Sequence, residues 1–203
     1  MDEKILGIDI GGSGIKGAMV DVKNGQLLGE RYRIETPQPA TPDAVGQVIA
    51  RIQAHFEYKG RIGVAFPAAV PHGVVSIAAN IDDAWLGVEV EKMLGDVTGG
   101  PVTVINDADA AGMAEMRFGL GKGRKGTVLM VTVGSGLGTA LFTQGVLLPN
   151  TELGHVYYKK NREAEAWTSD AVRKNENLSW KKWGKRFGKY LHYMEKLFYP
   201  ELI

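Results

Sequence analysis

Residues 4–22 have the sequence KILGIDIGGSGIKGAMVDV, which is the pattern of two strands joined by a glycine turn. The apolar run at residues 4–10 predicts a buried strand, and residues 15–22 predict a second strand after the turn at residues 11–14. A dinucleotide-binding fold or a P-loop would need a helix directly after its glycines, so the context of a G-x-G-x-x-G motif is not met, and the G-x-x-x-x-G-K-[ST] pattern of a P-loop is not present. The segment therefore predicts a β-hairpin.

The same design recurs at residues 127–143, where a turn at residues 134–138 separates two further predicted strands. Backbone N–H groups at glycine turns can bind phosphate oxygens without obstruction by side chains. We therefore predict that the two turns hold phosphates; the residues concerned are Gly11, Gly12, Ser13, Gly14, Gly134, Ser135, Gly136, Gly138 and Thr139. The alternative is that both segments are only tight turns.

Acidic and amide side chains follow two of the predicted strands. Asp9 lies at the end of the first strand, where one carboxylate could hold a hydrated magnesium ion, although it could equally cap a turn. Asn106 and Asp107 lie where a strand at residues 102–105 meets a helix at residues 108–116, a usual location of catalytic groups in α/β sheets. There Asp107 could accept the proton of an attacking hydroxyl; the alternative is a simple helix cap.

A second group of polar residues could bind a sugar. Glu152 and His155, separated by a leucine and a glycine, could hold neighbouring hydroxyls. Asn80 could add a hydroxyl contact, and Trp85 could form an apolar wall, although tryptophan more often belongs to the core. A metal site is disfavoured because two ligands are too few and the chain has no cysteine to complete the set.

The remaining elements are predicted from periodicity and capping. Thr41 and Pro42 predict the start of a helix, and residues 179–198 predict a long amphipathic helix. Its basic face comprises Lys181, Lys182, Lys185, Arg186 and Lys189, and its apolar face comprises Trp183, Phe187, Tyr190, Leu191, Met194 and Leu197. Further strands are predicted at residues 61–66 and 73–77.

Composition limits the class of protein. The 203 residues include 44% hydrophobic and 23% charged side chains, 27 glycines and no cysteine, which predicts one large or two small globular domains without disulfides. No apolar stretch is long enough to span a bilayer, and the first residues lack a signal core, so we expect a cytoplasmic protein without a membrane partner. The net charge of +1 gives no reason to expect nucleic acid, but residues 156–203 carry +5 and suggest an anionic partner.

Four motifs in order resemble the ROK family of sugar kinases, within the actin, hexokinase and heat-shock-70 superfamily. They are LGIDIGG with Gly14, Lys16 and Gly17; NDA at residues 106–108 with Ala110, Ala111 and Glu115; GSGLG at residues 134–138; and ELGH at residues 152–155. The resemblance implies an α/β, actin-like ATPase (ribonuclease H-like) fold, with two domains at residues 1–105 and 106–203 around a cleft. It implies that Asp107 is the general base, that Asn80, Asn106, Glu152 and His155 bind the hexose together with Asp107, and that the hairpins, including Lys16, hold phosphates.

Within the family, residues 36–42 and residues 178–191 most resemble polyphosphate glucokinases. That resemblance implies transfer from inorganic polyphosphate, and also from ATP, to the 6-hydroxyl of glucose, with Mg²⁺, in a homodimer. The Cys-rich zinc motif of most family members is missing, which implies no structural zinc and a metal-free His155. The family also continues into a glycine turn and a closing helix, so the resemblance implies that a C-terminal part is missing from this chain.

The basic helix face suggests where a polyphosphate chain could run. Lys181, Lys185 and Lys189, together with Lys122, Arg124 and Lys125, could extend the phosphate path, although such faces are usually only solvated. Three other functions stay open: a strictly ATP-dependent hexose or mannose kinase, a non-catalytic sugar-binding remnant, and a sugar-sensing repressor. The repressor is disfavoured because the first motif begins only six residues into the chain.

Overall fold

A computed structural model describes residues 4–76, 78, 81–159 and 161–203. The chain forms two compact units, residues 1–110 and 111–203. The boundary between them falls within one helix, so the division predicted at residues 105 and 106 stays a prediction. None of the helices in the described ranges is both long and apolar enough to cross a bilayer.

The first unit contains β1 (Lys4–Gly11), β2 (Gly14–Asp21), β3 (Gln26–Leu27), β4 (Tyr32–Ile34), α1 (Pro42–His55), β5 (Ile62–Phe66), α2 (Val90–Thr98) and β6 (Val102–Asn106). Its strands form a mixed sheet with the order β3-β2-β1-β5-β6, and β4 also pairs with β2. β1 and β2 are antiparallel, whereas β1, β5 and β6 are parallel. The carboxyl ends of three parallel strands therefore share one sheet edge.

Alternation along the strands forms the core of the first unit. Every second residue is buried from Leu6 to Ile10 in β1 and throughout β5, as a period of two requires. The helix start predicted at Thr41 is confirmed, since its hydroxyl accepts a hydrogen bond from the N–H of Ala44 at 3.4 Å. The core residues include Leu6, Ile8, Ile10, Ile15, Val45, Val48, Ile49, Ile52, Ile62, Val64, Phe66 and Leu94.

The strand predicted at residues 73–77 is wrong over its described part. Residue 73 belongs to a single helical turn, Pro71–Gly73, in which His72 and Gly73 both have positive φ. Val74 forms an isolated bridge with Glu89, and Val75 donates its N–H to Val88 and accepts that of Gly87, a pairing too short to make a strand. Residue 77 lies outside the described residues.

After its first helix, the described part of the second unit contains β7 (Thr127–Val133), β8 (Leu137–Thr143), β9 (Val146–Leu148), β10 (Tyr157–Lys159), β11 (Arg162–Glu163), α4 (Glu165–Thr168), α5 (Asp170–Asn175) and α6 (Trp180–Phe198). The first three strands form an antiparallel sheet in the order β7-β8-β9, and β10 and β11 form a small hairpin. The helix α3 (Asp107–Phe118) joins the two units in sequence. The strand predicted at residues 139–143 begins two residues earlier, which shortens the second glycine turn to residues 134–136.

The long helix α6 covers one face of the second unit. Ser179 caps it by accepting the N–H of Lys182 at 3.3 Å, and Tyr190 and Met194 are fully buried. The prediction that Leu197 belongs to the apolar face is wrong, because its side chain is 51% exposed and the next residue, Phe198, packs against the core in its place.

Candidate active site

The first glycine hairpin is a two-residue turn between β1 and β2, and the side chain of Arg33 contacts it. Gly11 and Gly14 pair across β1 and β2, which leaves Gly12 and Ser13 at the tip. The guanidinium of Arg33 donates to the carbonyl of Ser13, so a positive charge lies beside the turn. A Cβ built at Gly12 would meet no atom within 4 Å, so packing does not require glycine there. The space beside this turn can therefore accommodate a ligand.

Asp9 lies opposite Lys16 in the same hairpin. The two residues are cross-strand partners, and Lys16 Nζ lies 3.3 Å from Asp9 Oδ2. Asp9 is also level with Ala65 on β5, which in turn is level with Ile105 on β6. The carboxylate of Asp9 therefore stands at the same sheet edge as the junction that follows β6.

Asn106 and Asp107 form that junction. The side-chain oxygen of Asn106 accepts hydrogen bonds from the N–H groups of Ala108 at 2.9 Å and Asp109 at 3.1 Å. Asn106 is thus the N-cap of α3, as the alternative of a simple helix cap predicted. The cap uses only the amide oxygen, so a contact between Asn106 and a sugar would use its amide nitrogen.

Asp107 is the first residue of α3, and its environment favours a proton acceptor. Partial removal of water by the surrounding protein raises the pKa of the Asp107 carboxyl above its ordinary value, and the negative charge of Asp9 raises it further. The N–H of Ala108, which donates to Asp107 Oδ1 at 2.7 Å, acts in the opposite direction. A carboxylate with a raised pKa is a stronger base than an ordinary aspartate.

The structure does not support Trp85 as a sugar contact, and it does not describe Asn80. Trp85 is only 2% exposed, stacks edge-to-face on Phe66 and donates its indole N–H to the carbonyl of Ala40 at 2.8 Å. It belongs to the core, so the suggestion that it forms a sugar wall is wrong. Asn80 lies outside the described residues and stays a prediction.

The second glycine hairpin, in contrast, is filled by its own unit. The N–H of Leu137 donates to Glu165 Oε2 at 3.3 Å, and a Cβ at Gly136 would lie 2.4 Å from the same oxygen. Gly134 donates its N–H to the carbonyl of Gly136 and accepts the N–H of Asp170 at 3.1 Å. An internal carboxylate therefore occupies a position beside this turn.

Two predicted phosphate contacts lie within strand β8. Gly138 pairs with Thr132, and Thr139 is 1% exposed. The Thr139 hydroxyl donates to the carbonyl of Thr151 at 2.6 Å and accepts the N–H of Leu153 at 3.1 Å. These bonds tie the residues on both sides of Glu152 to the sheet, so Thr139 positions this segment.

The Glu152–His155 segment is fixed by close backbone packing. Leu153–His155 forms one helical turn, and a Cβ at Gly154 would lie 2.3 Å from the carbonyl oxygen of Leu137. Only glycine allows this approach, as the sequence indicated. The phenol of Tyr190 donates to the carbonyl of Leu153 at 3.2 Å, so α6 also anchors the turn.

His155 is surrounded by three carboxylates. Its Nδ1 lies 3.1 Å from Glu163 Oε2 and 3.8 Å from Glu165 Oε1, and its Nε2 lies 3.9 Å from Glu152 Oε2. Partial burial lowers the pKa of His155, but the hydrogen bond with Glu163 and the charges of Glu165, Glu163 and Glu152 outweigh it, so the pKa is raised. Ligand atoms of His155, Glu163 and Glu165 lie within 4.8 Å of one another. The 3.1 Å between His155 Nδ1 and Glu163 Oε2 is a hydrogen-bond distance, so these side chains form a histidine–carboxylate network.

Sequence reasoning missed Glu163 and Glu165. Both come near His155 because β10 and β11 form a hairpin directly after it, with Tyr157 opposite Glu163. The hairpin strands are only three and two residues long, too short for a periodic pattern to predict. The available signal was the presence of two glutamates within ten residues of a histidine.

The basic face of α6 is partly confirmed. Lys181, Lys185 and Lys189 are exposed on one side of the helix. Arg186 instead lies 4.0 Å above the ring of Trp167 and pairs with Glu176 at 2.8 Å, so it packs within the unit. The three lysines remain the candidates for contact with an anionic chain.

Comparison with known proteins identifies the family. The model of the ROK family matches residues 5–166. The chain is 45% identical to the polyphosphate glucokinase of Mycobacterium tuberculosis over 98% of its own length and 75% of that protein.

Solved structures show the same fold. The inorganic polyphosphate/ATP-glucomannokinase of Arthrobacter sp. strain KM matches with a TM-score of 0.93 and 45% identity, over 98% of this chain and 81% of that one. A ROK family glucokinase from Streptomyces griseus matches with a TM-score of 0.82 at 23% identity, over 97% and 80% of the two chains, which shows a shared fold. The predicted actin-like α/β fold class is confirmed, and the chain belongs to the ROK family.

Proposed function

We propose that this chain transfers a phosphoryl group from inorganic polyphosphate, and also from ATP, to the 6-hydroxyl of glucose. The acceptor and both donors are supported by the names of the two relatives at 45% identity. The observation that carries the reaction class is Asp107, a carboxylate of raised pKa where a strand meets a helix. Such a group can accept a proton from a hydroxyl as that hydroxyl attacks phosphorus.

In this mechanism, Asp107 takes the proton of the sugar hydroxyl while a new O–P bond forms. The bond from phosphorus to the bridging oxygen of the donor breaks at the same time, and the shortened donor leaves with its electrons. Arg33 places positive charge beside the first hairpin, where phosphate oxygens would approach Gly12 and Ser13. The base and the first phosphate contacts therefore both come from the first unit.

Asp9 fits the requirements of a magnesium ligand. Its side chain is 51% exposed and presents a single carboxylate, and Mg²⁺ prefers one or two carboxylates with waters and phosphates completing its shell. When bound, the ion would neutralise charge on the phosphoryl oxygens. Zinc in a cysteine site is excluded by the absence of cysteine.

Glucose would be bound by polar groups with fixed backbones. We assign Glu152 and His155 to sugar hydroxyls, and the amide nitrogen of Asn106 to another. Asn80 stays in the proposal from the family resemblance alone. The rigid turn around Gly154 supports the assignment, since it holds Glu152 and His155 on one short segment.

The donor would contact the first hairpin through Gly11, Gly12, Ser13, Gly14 and Lys16. Gly134, Ser135 and Gly136 of the second hairpin would contribute only where Glu165 leaves backbone N–H groups available. Gly138 and Thr139, which lie inside β8, serve that hairpin's structure.

Lys181, Lys185 and Lys189 would extend the path of a long polyphosphate. Replacing all three with glutamate should raise the KM for long polyphosphate at least threefold more than the KM for ATP, because ATP is too short to reach a second cluster of charge. Lys196→Glu, at the exposed end of the same helix, is the control. Equal changes for both donors would contradict this path.

The experiment that tests the proposed function measures glucose 6-phosphate formed from glucose with polyphosphate or with ATP as sole donor. Product with polyphosphate is the expected result. Product with ATP only would favour an ATP-dependent hexose kinase, and glucose binding without product would favour a sugar-binding remnant. A cytoplasmic location and a role in glycolysis belong to the same proposal, as does a homodimer, which follows from the family resemblance.

A further inference from the structure

We propose that Glu163 is the positioning residue for His155, holding its imidazole so that Nε2 faces the sugar. The inference rests on the proposed function, in which His155 binds a sugar hydroxyl. It concerns a residue that the sequence did not single out.

The backbone brings Glu163 to His155 in a defined register. The residue after His155, Val156, accepts the N–H of Ala164 at 3.0 Å, and Ala164 is the residue after Glu163. Ala164 is fully buried, which fixes the chain on both sides of this bond. His155 and Glu163 are therefore each one residue from the same backbone pair, and their side chains meet at 3.1 Å.

The contact determines which ring nitrogen carries the proton. An ionised carboxylate can only accept hydrogen bonds, so His155 Nδ1 must be the donor to Glu163. In the neutral ring Nε2 then keeps its lone pair and can accept a hydroxyl proton. Nε2 is also the nitrogen nearer Glu152, at 3.9 Å, so both sugar-binding groups face the same side.

The other carboxylates are less suited to this role. Glu165 lies 3.8 Å from Nδ1 and already accepts the N–H of Leu137. Glu152 approaches the opposite nitrogen. Glu163 makes the hydrogen bond to Nδ1, and its loss would leave the ring free to change tautomer or to rotate.

Nitrogen NMR of the imidazole rings tests the pairing directly, at a pH where the rings are neutral. The chain has four histidines, so His155 can be assigned with a single His155→Gln variant. The wild type and Glu163→Gln should both show the Nδ1–H tautomer, because the glutamine oxygen can still accept. Glu163→Ala should lose that tautomer preference.

Calorimetry with glucose then tests whether the pairing serves the sugar. Glu163→Ala should weaken glucose binding about tenfold, because an imidazole that is no longer oriented loses its hydrogen bond to the sugar. Glu163→Gln should weaken it about threefold or less, and kcat should change less than threefold in both. Glu163→Ser, too short to reach His155, replaces the alanine variant if that variant fails to fold.

Glu195→Gln is the matched control. Glu195 Oε2 lies 2.9 Å from His192 Nδ1 on the exposed face of α6, so this variant alters a histidine–carboxylate pair away from the Glu152–His155 turn. It should leave glucose affinity unchanged. The proposal is overturned if Glu163→Ala keeps the Nδ1–H tautomer, or if it binds glucose within twofold of the wild type. Failure of the wild type to bind glucose would contradict the proposed function, and the tautomer measurement would still decide the Glu163 pairing.

Discussion

The two glycine hairpins share a sequence pattern, yet their surroundings have opposite charge. Beside the first, the guanidinium of Arg33 contacts the turn, and the space at Gly12 is open. Beside the second, the carboxylate of Glu165 accepts a turn N–H, and Gly136 makes room for it. The first hairpin suits an anion, whereas the second already contains one.

The same contrast extends to the polar residues of each unit. Asp107 is exposed at the start of α3, and its carboxyl accepts the backbone N–H of Ala108. His155 is held within a network of carboxylates. We infer that the first unit supplies the reacting groups and that the second supplies a rigid sugar-binding turn. Variants of the first unit should mainly lower kcat or donor affinity. Variants around the Glu152–His155 turn of the second unit should mainly change stability or glucose affinity.

The largest effect should come from removing the base of the first unit. Asp107→Asn keeps the size and an oxygen for the Ala108 N–H but cannot take up the proton, so kcat should fall by about 10²–10⁴-fold. Glucose 6-phosphate formation with polyphosphate measures it. Asp96→Asn, on the exposed surface of α2, is the control. An Asp107→Asn variant that keeps half of its turnover would refute the assignment.

The two hairpins can be compared by replacing one glycine in each with alanine, which adds a single methyl group. Gly12→Ala should raise the donor KM about tenfold, because its Cβ meets no protein atom and can obstruct only a ligand. A Cβ at Gly134 also meets no atom within 4 Å, and Gly134→Ala should raise the donor KM less than threefold. Gly63→Ala, equally unobstructed on β5, reports any general effect of the substitution. Equal effects at Gly12 and Gly134 would remove the distinction between the hairpins.

Rigidity of the second unit can be tested at Gly154. Because its Cβ would lie 2.3 Å from the Leu137 carbonyl, Gly154→Ala should destabilise folding by about 1–3 kcal/mol. Urea unfolding measures the change. Gly188→Ala, on α6 with open space around it, should instead be neutral or stabilise by up to about 1 kcal/mol. No loss of stability at Gly154 would show that the turn can relax.

The smallest effect is a pH dependence of stability arising from His155. Since the folded pKa of His155 is raised above 6.5, its charged form stabilises the fold fully below about pH 6.5. That contribution is lost as pH rises through the folded pKa. His155→Gln should therefore flatten the fall in stability above pH 6.5 in urea unfolding, and His192→Gln is the control. An unchanged pH profile in His155→Gln would argue against the network's effect.

Local sequence signals predicted the framework well. The glycine spacing gave both hairpins, Thr41 marked the start of α1, and the strand-to-helix junction at Asp107 was placed correctly. Each of these depends on neighbours within a few residues, where capping, turn chemistry and strand alternation act.

Contacts between distant segments could not be predicted in this way. Glu165 meets the second hairpin across 28 residues of chain, and Trp85 is buried against Phe66, which its own sequence neighbourhood does not encode. Thr139 likewise holds the residues on both sides of Glu152. The contacts of these three residues depend on burial and on pairing between distant segments, which the periodicity of the sequence does not predict.

The division of labour between the two units is tested most directly by glucose titration calorimetry on two variants. Asp107→Asn should bind glucose within about threefold of the wild type while its turnover collapses, because it loses a base and keeps a hydrogen-bonding side chain. Glu152→Ala should lose glucose affinity by tenfold or more, because a sugar hydroxyl is left without its partner. Strong loss of binding in Asp107→Asn together with normal binding in Glu152→Ala would contradict the account.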